Sequence, residues 1–308
     1  MSEQLTVIGQ GLPGARGTNH ELAARLLLPG VDFVMEHREK FSQVYDALGD
    51  ESTRVVAAFD TTGSSVVRDS WKELTSGRRL WVEKVVRMGV VHDLIGTTEL
   101  TLAQLQEAGP AVRIRTHLNA LAQCEEWLDR NLPEADKLDG KDTAGSVATI
   151  LRGARDPYHL AIAGPQTLHE YPGAISLAHG IQGADNITEF ALLAPKSLAI
   201  ADEPDEEKET LIIVTQNRDD CAGDLFDGLA PLKDQGINMT SLHSEQIRGG
   251  GDKRRFRFVI RATGTVGKML KMKETPLDRA LDGISMNGHS VRVLGSYEIF
   301  NASSKDAA

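Results

Sequence analysis

Nine residues, Ala201–Glu209 (ADEPDEEKE), constrain this chain more than any others, because six of them are acidic and one is proline. Such a segment has no apolar side to bury and its charges repel, so it cannot cross a core and serves as a solvated linker. The fold must be built on either side of it, from residues 1–200 and residues 210–300. A chain of 308 residues is long enough for a full-sized core in the first part and a small domain in the second.

Residues 1–200 alternate between two patterns. Leu5–Ile8, Val31–Val34, Arg54–Phe59, Leu80–Val86, Val112–Arg115 and Leu160–Ala163 read as strands. Asn19–Leu28, Phe41–Leu48, Val66–Leu74, Ala120–Leu132 and Thr143–Leu151 carry helical spacing, and Leu177–Ile181 is helix-like. Alternating strands and helices argue for an α/β sheet. Residues 210–300 read strand Thr210–Gln216, helix Ala222–Gln235, strands Asn238–Ile247 and Arg254–Ala262, helix Leu277–Ile284 and strand Ser290–Tyr297. The order βαββαβ is the ferredoxin-like arrangement. Residues 302–308 are expected to fray.

Charge and composition narrow the partners. The net charge is −10 and no long basic block exists, so neither nucleic acid nor an anionic membrane is expected. Lys253-Arg254-Arg255 stands beside Gly249-Gly250-Gly251 and reads as a hairpin turn. The start, MSEQLTVIGQ, has no basic segment leading into an apolar one, and no apolar run is long enough to span a bilayer. With only Cys124 and Cys221, a cytoplasmic protein with free thiols is expected. The nine histidines show no HExxH and no carboxylate-backed i,i+4 pair, so no metal is expected.

Gly9, Gly11 and Gly14 follow a strand and precede a helix, the spacing of a dinucleotide-binding turn, with Asp32 near the place of a ribose-binding acid. The same turn offers backbone N–H groups to any small anion. Pro13 removes one donor, and Arg16-Gly17-Thr18 delay the helix, which favours the small anion and no cofactor.

Several stretches, taken in order, resemble the prephenate dehydratase family with a C-terminal ACT regulatory domain. They are Val7–Ala15 (VIGQGLPGA) with Glu21–Ala24, Arg115–Cys124 (RTHLNALAQC), Asp142–Val147 (DTAGSV), Ala161–Ala163, Gly180–Gln182, Asn186–Phe190 (NITEF), Gly236–Thr240 (GINMT) and Val291–Tyr297 (VRVLGSY). The resemblance implies two α/β lobes, like a periplasmic binding protein, with the site in their cleft. It also implies an ACT unit through which the chain self-associates. It implies a small-molecule substrate, prephenate or a close analogue. By position it assigns Gly14, Ala15, Asp60, Thr61, Ser65, Thr116, His117, Asn186 and Phe190 to substrate binding, and Thr188 to the departing hydroxyl. It places Gly223, Leu225 and Ser244 at the effector positions of the ACT unit.

The departures from the family pattern carry as much information. Where the family has Thr-Arg-Phe, this chain has Thr188-Glu189-Phe190, an anion in place of a cation. Asp60-Thr61 replaces the family's Asn-Ser, with Ser64 or Ser65 expected to cap the following helix. Asp224 and His243–Gln246 depart from the family's phenylalanine-sensing motifs. His92 stands at a family histidine and is expected to be structural. Prephenate carries two carboxylates, so an anion in its site opposes binding. These departures resemble the family's prephenate decarboxylase branch, which loses CO2 from prephenate without aromatising it. Non-aromatising decarboxylation in specialised metabolism, including antibiotic biosynthesis, is therefore the first expectation, with Glu189 as proton donor through a pKa raised by burial. Dehydration to phenylpyruvate and a non-catalytic sensor remain as alternatives.

Overall fold

The computed structural model describes residues 4–61, 65–153, 156–183, 186–196, 207–218, 221–248, 254–268 and 271–302. Most of the acidic linker, the Gly249–Lys253 turn and residues 303–308 lie outside them. The chain forms two compact units. The first is Met1–Ser76, Val86–Leu192 and Asn301–Ala308; the second is Gly77–Val85 and Leu193–Phe300.

In chain order the elements are β1 (Leu5–Gln10), α1 (Asn19–Leu27), β2 (Phe33–Arg38), α2 (Phe41–Asp46), β3 (Thr53–Thr61), β4 (Ser65–Val66), α3 (Arg68–Thr75) and β5 (Leu80–Gly89). There follow β6 (Asp93–Gly96), α4 (Leu102–Ala108), β7 (Arg113–Thr116), α5 (Leu118–Gln123), α6 (Glu125–Asn131), β8 (Asp136–Asp139), α7 (Thr143–Arg152), β9 (His159–Ala163), α8 (Thr167–Glu170), β10 (Ile175–Ala178) and β11 (Ile187–Pro195). The remainder is β12 (Glu209–Gln216), α9 (Asp224–Asp234), β13 (Met239–Arg248), β14 (Arg254–Thr263), α10 (Pro276–Met286), β15 (His289–Tyr297) and β16 (Ile299–Ala302).

One lobe of the first unit is built on β1, β2, β3 and β4 with the first-unit parts of β5 and β11, in a sheet ordered β16-β5-β11-β3-β1-β2, with β4 paired antiparallel to β3. Val7, Ala23, Leu27, Val56, Met88 and Phe190 fill its core. Each such fully buried Leu or Phe contributes about 1.5–3 kcal/mol of apolar burial. The other lobe has the sheet β10-β6-β9-β7-β8, cored by Leu94, Leu105, Ile114, Leu128 and Ile162. Several helices start where a side chain accepts one of their orphan N–H groups. Thr18 accepts from Glu21 at 3.1 Å, and Asp142 accepts from Gly145.

Three expectations fail here. Ala120–Leu132 is not one helix but two, α5 and α6, broken at Cys124. Ala120, Cys124 and Leu128 still enter one core, so the helical spacing survives the break and hides it. Leu177–Ile181 is not helical: β10 pairs antiparallel with β6, matching Ser176 to Ile95 and Ala178 to Leu94. Ala302, placed in the frayed end, closes β16 and packs on the first core.

The second unit carries β12-α9-β13-β14-α10-β15 with the sheet order β13-β14-β12-β15, all neighbours antiparallel. Its core holds Ile212, Val214, Phe258, Leu281 and Ile284 together with Trp81 of β5. Gly295 lies so close to β5 that a Cβ there would fall 2.4 Å from the Val82 carbonyl oxygen. Cys124 and Cys221 are free thiols, and burial pushes the Cys124 thiol up to about 12. No helix of the described residues is long and apolar enough to cross a membrane.

Candidate active site

Within the first unit the described residues 90–92, 181–183 and 186 lie on the stretches of chain between the two sheets. Val90 N–H donates to Asn186 at 2.8 Å, and Ile181 N–H donates to His92 at 2.8 Å. Beside these crossings lies an open cavity of about 1420 Å³. Its walls come from the end of β1, the starts of α1 and α2, β3, α3, β11, α5 and the start of α7. A cavity of this size, with converging polar groups, has room for a small molecule.

At its floor stand two hydroxyls from neighbouring strands. Thr188 of β11 and Thr61 of β3 both line the cavity, are both buried, and lie 3.2 Å apart, oxygen to oxygen. Phe190 also lines it, with its ring edge-on to His20 at 5.2 Å. Asn186 reaches the wall while donating through Nδ2 to the Val90 carbonyl at 2.9 Å. His117 lines the opposite side and caps α5; its Nδ1 accepts from the Asn119 N–H at 3.2 Å. In the neutral ring that leaves the proton on Nε2.

The two acids that distinguish this chain face elsewhere. Side chains alternate along a strand, so the neighbours of Thr61 and Thr188 project to the other face of their sheet. Neither Asp60 nor Glu189 is among the cavity-lining residues. Asp60 accepts from the Thr61 N–H at 3.0 Å. Glu189 is buried and accepts from the Arg87 Nε–H of β5 at 2.6 Å. The anion that replaces the family's arginine thus has its own cation, and its charge is not in the cavity. The proton-donor role expected of Glu189 has no support in this placement.

Other expected residues are also elsewhere. Gly14 is exposed, and neither it nor Ala15 lines the cavity. Gly11 and Leu12 do, but the Leu12 N–H already donates to Asp142 Oδ2 at 2.7 Å. The glycine turn spends this donor on a carboxylate of the protein itself. Thr116 is fully buried and donates its hydroxyl to the Ile162 carbonyl at 2.7 Å, which makes it a core residue. Ser65 pairs in register with Thr61. The helix expected from Val66 starts at Arg68, after Val67 and without a side-chain cap, because Ser65 and Val66 are committed to β4. His92 is buried, holds Gln123 Oε1 at 2.8 Å, and lines the cavity.

Three histidines near the cavity are held neutral by desolvation: His20 down to about 3, and His37 and His92 also below the usual value. The cations on the walls, Lys40, Arg68, Lys72 and Lys141, were not singled out from the sequence. The i,i+4 spacing of Arg68 and Lys72 was the available signal. Lys141 is paired with Glu39 at 2.9 Å.

In the second unit, Gly223 adopts a left-handed φ of 87° before α9, Leu225 lies in the first turn of that helix, and Ser244 lies on the edge strand β13. Asp224, one of the departures, is buried and accepts from Gln216 Nε2 and Arg218 Nε, each at 2.6 Å.

A family model described as prephenate dehydratase matches residues 11–198. A prephenate dehydratase from Amycolatopsis methanolica is 25% identical over 216 residues, 68% of this chain and 66% of that protein. A bifunctional chorismate mutase/prephenate dehydratase from Aquifex aeolicus is 28% identical over 186 residues, 60% of this chain and 46% of that protein. The matches thus span less than two thirds of these relatives. Among solved structures, prephenate dehydratase from Arthrobacter aurescens in complex with L-Phe superposes with a TM-score of 0.78 at 24% identity, covering 96% of this chain and 90% of that one. A protein described as a novel type of quorum quenching acylase superposes with a TM-score of 0.74 at 24% identity, covering 96% and 98%. Both structural likenesses are of fold.

Proposed function

We propose, for a chain that belongs to the prephenate dehydratase family, that it converts prephenate to phenylpyruvate, water and CO2. The observation that carries this reading is the buried hydroxyl pair, Thr188 and Thr61, at 3.2 Å on the cavity floor, with the acids Asp60 and Glu189 absent from its lining. The Thr188 hydroxyl donates to the departing C4 hydroxyl, and Thr61 orients it. The bond from the ring to its carboxylate breaks, its electron pair enters the ring, and the C4–O bond breaks as a proton joins the leaving oxygen. Aromatisation drives the step. The protein supplies orientation and hydrogen bonds at the leaving oxygen.

Non-aromatising decarboxylation, expected from the sequence, drew on Glu189 as proton donor; with Glu189 paired to Arg87, that support is gone. The second unit, with its βαββαβ order, is proposed as an ACT regulatory domain that mediates self-association. The test is NMR of the products after incubation with prephenate. Phenylpyruvate is expected. A product that keeps the C4 hydroxyl and lacks the ring carboxylate would restore the decarboxylase reading.

A further inference from the structure

The proposed substrate is a dianion, yet the strand positions where its family carries a cation present none to the cavity. Positive charge reaches the wall from a different element. Arg68 and Lys72 both line the cavity, one turn apart on α3. Neither has an ion-pair partner among the described residues, whereas Lys141 is paired with Glu39 and Arg87 with Glu189. Their location follows from the hairpin before them. Thr61 pairs with Ser65 and Asp60 with Val66, and the Val67 N–H donates to the Phe59 carbonyl at 3.1 Å. This fixes the start of α3 beside the strand end that holds Thr61. Thr61 thus stands on the β3–β4 hairpin, the two cations on the helix that follows it, and Thr188 on the strand beside β3. Asp69 and Glu73 also line the cavity, so the wall is not uniformly positive. Recognition then depends on where the two cations stand, not on net charge.

We propose that Arg68 and Lys72 hold the side-chain carboxylate of the substrate, the one that survives in the product. This rests on the reading of the cavity as a site for prephenate. The choice of carboxylate follows from the chemistry. The ring carboxylate must lose its charge as CO2, so a cation bound there would stabilise the ground state and slow the reaction. A cation on the side-chain carboxylate anchors substrate, transition state and product alike. That is uniform binding, which appears in KM and leaves kcat nearly untouched.

The experiment measures kcat and KM for prephenate, and Kd for prephenate and phenylpyruvate by calorimetry, in Arg68→Met, Lys72→Met and the double variant. Both side chains are exposed, so folding should survive; the thermal midpoint checks it. The double variant should raise KM roughly ten- to hundredfold, the usual worth of hydrogen bonds to a charged group. kcat should change less than about threefold, and phenylpyruvate should lose affinity by a similar factor. Arg68→Lys should recover part of the loss. Unchanged KM and Kd would overturn the proposal. So would a loss confined to prephenate, which would put the cations on the ring carboxylate. If the unaltered protein does not consume prephenate, yet binds phenylpyruvate in a way that depends on Arg68 and Lys72, the reaction assigned above fails and the carboxylate site stands.

Discussion

The glycine turn at residues 9–15 and the strand ends at Thr61 and Thr188 make opposite impressions in the sequence, and the structure reverses both. The turn has the spelling of an anion site, yet Gly14 and Ala15 do not line the cavity and the Leu12 N–H is taken by Asp142. The strand ends look damaged, each with an acid where the family has a neutral or basic residue, yet both hydroxyls reach the cavity and both acids do not. Residue identity at a motif position is therefore incomplete evidence. On a strand, one step along the chain moves a side chain to the other face of the sheet. In a glycine turn, a free N–H is useful only if no carboxylate of the protein reaches it first.

This contrast can be broken most directly at Thr188. Thr188→Val keeps the shape and removes the hydroxyl, and kcat for phenylpyruvate formation should fall about 10²–10⁴-fold, with the thermal midpoint shifted by only a few degrees. An unchanged kcat would mean that the strand-end hydroxyl is ordinary packing.

Glu189 is the next lever. Glu189→Arg sets a second cation beside Arg87 and should destabilise the protein by about 1–3 kcal/mol in urea, discounted because Arg87 is partly exposed. The double exchange Arg87→Glu with Glu189→Arg should regain most of that loss. Were the single variant as stable as the unaltered protein, the pair would not be what holds Glu189 off the cavity. Glu189→Gln should leave kcat within a few fold.

At the glycine turn, Asp142→Ala removes both the cap of α7 and the acceptor for Leu12 N–H. A loss of about 1–2 kcal/mol is expected in the same assay. No loss would show that the turn keeps its donor satisfied in another way and is available to a ligand.

The last effect concerns pH. His20 is about 3 when folded against about 6.5 when unfolded, so between these values the unfolded chain binds a proton that the folded chain does not. Stability is therefore full above pH 6.5 and falls as the pH drops toward 3, with a slope from this residue of at most about 1.4 kcal/mol per unit. His37 and His92, shifted the same way, steepen it. In His20→Phe the acid-side slope of denaturant stability should be shallower; an identical slope would mean that the ring is protonated in the fold.

Taken alone, the sequence determined the class of most long elements. β1, α1, β3, α7, β9 and all six elements of the βαββαβ unit fall where periodicity and caps put them. Those signals are local: side-chain spacing of 3.6 or 2, glycine turns, and Ser, Thr or Asp at helix starts. It also named Thr61, His117, Asn186, Thr188 and Phe190, all of which line the cavity. Short strands such as β6 and β8 were invisible, because four residues carry too little periodicity to separate them from loop. Only the tertiary structure decided which face of β3 and β11 meets the cavity, and that Arg87 on β5 answers Glu189 on β11, 102 residues along the chain. It alone brought Asp142 to Leu12 across 130 residues, and Arg68 and Lys72 to the same wall as the hydroxyls. Charge acts through space and is felt by whatever the fold brings near it, so its meaning at a given position is not written in the neighbouring residues.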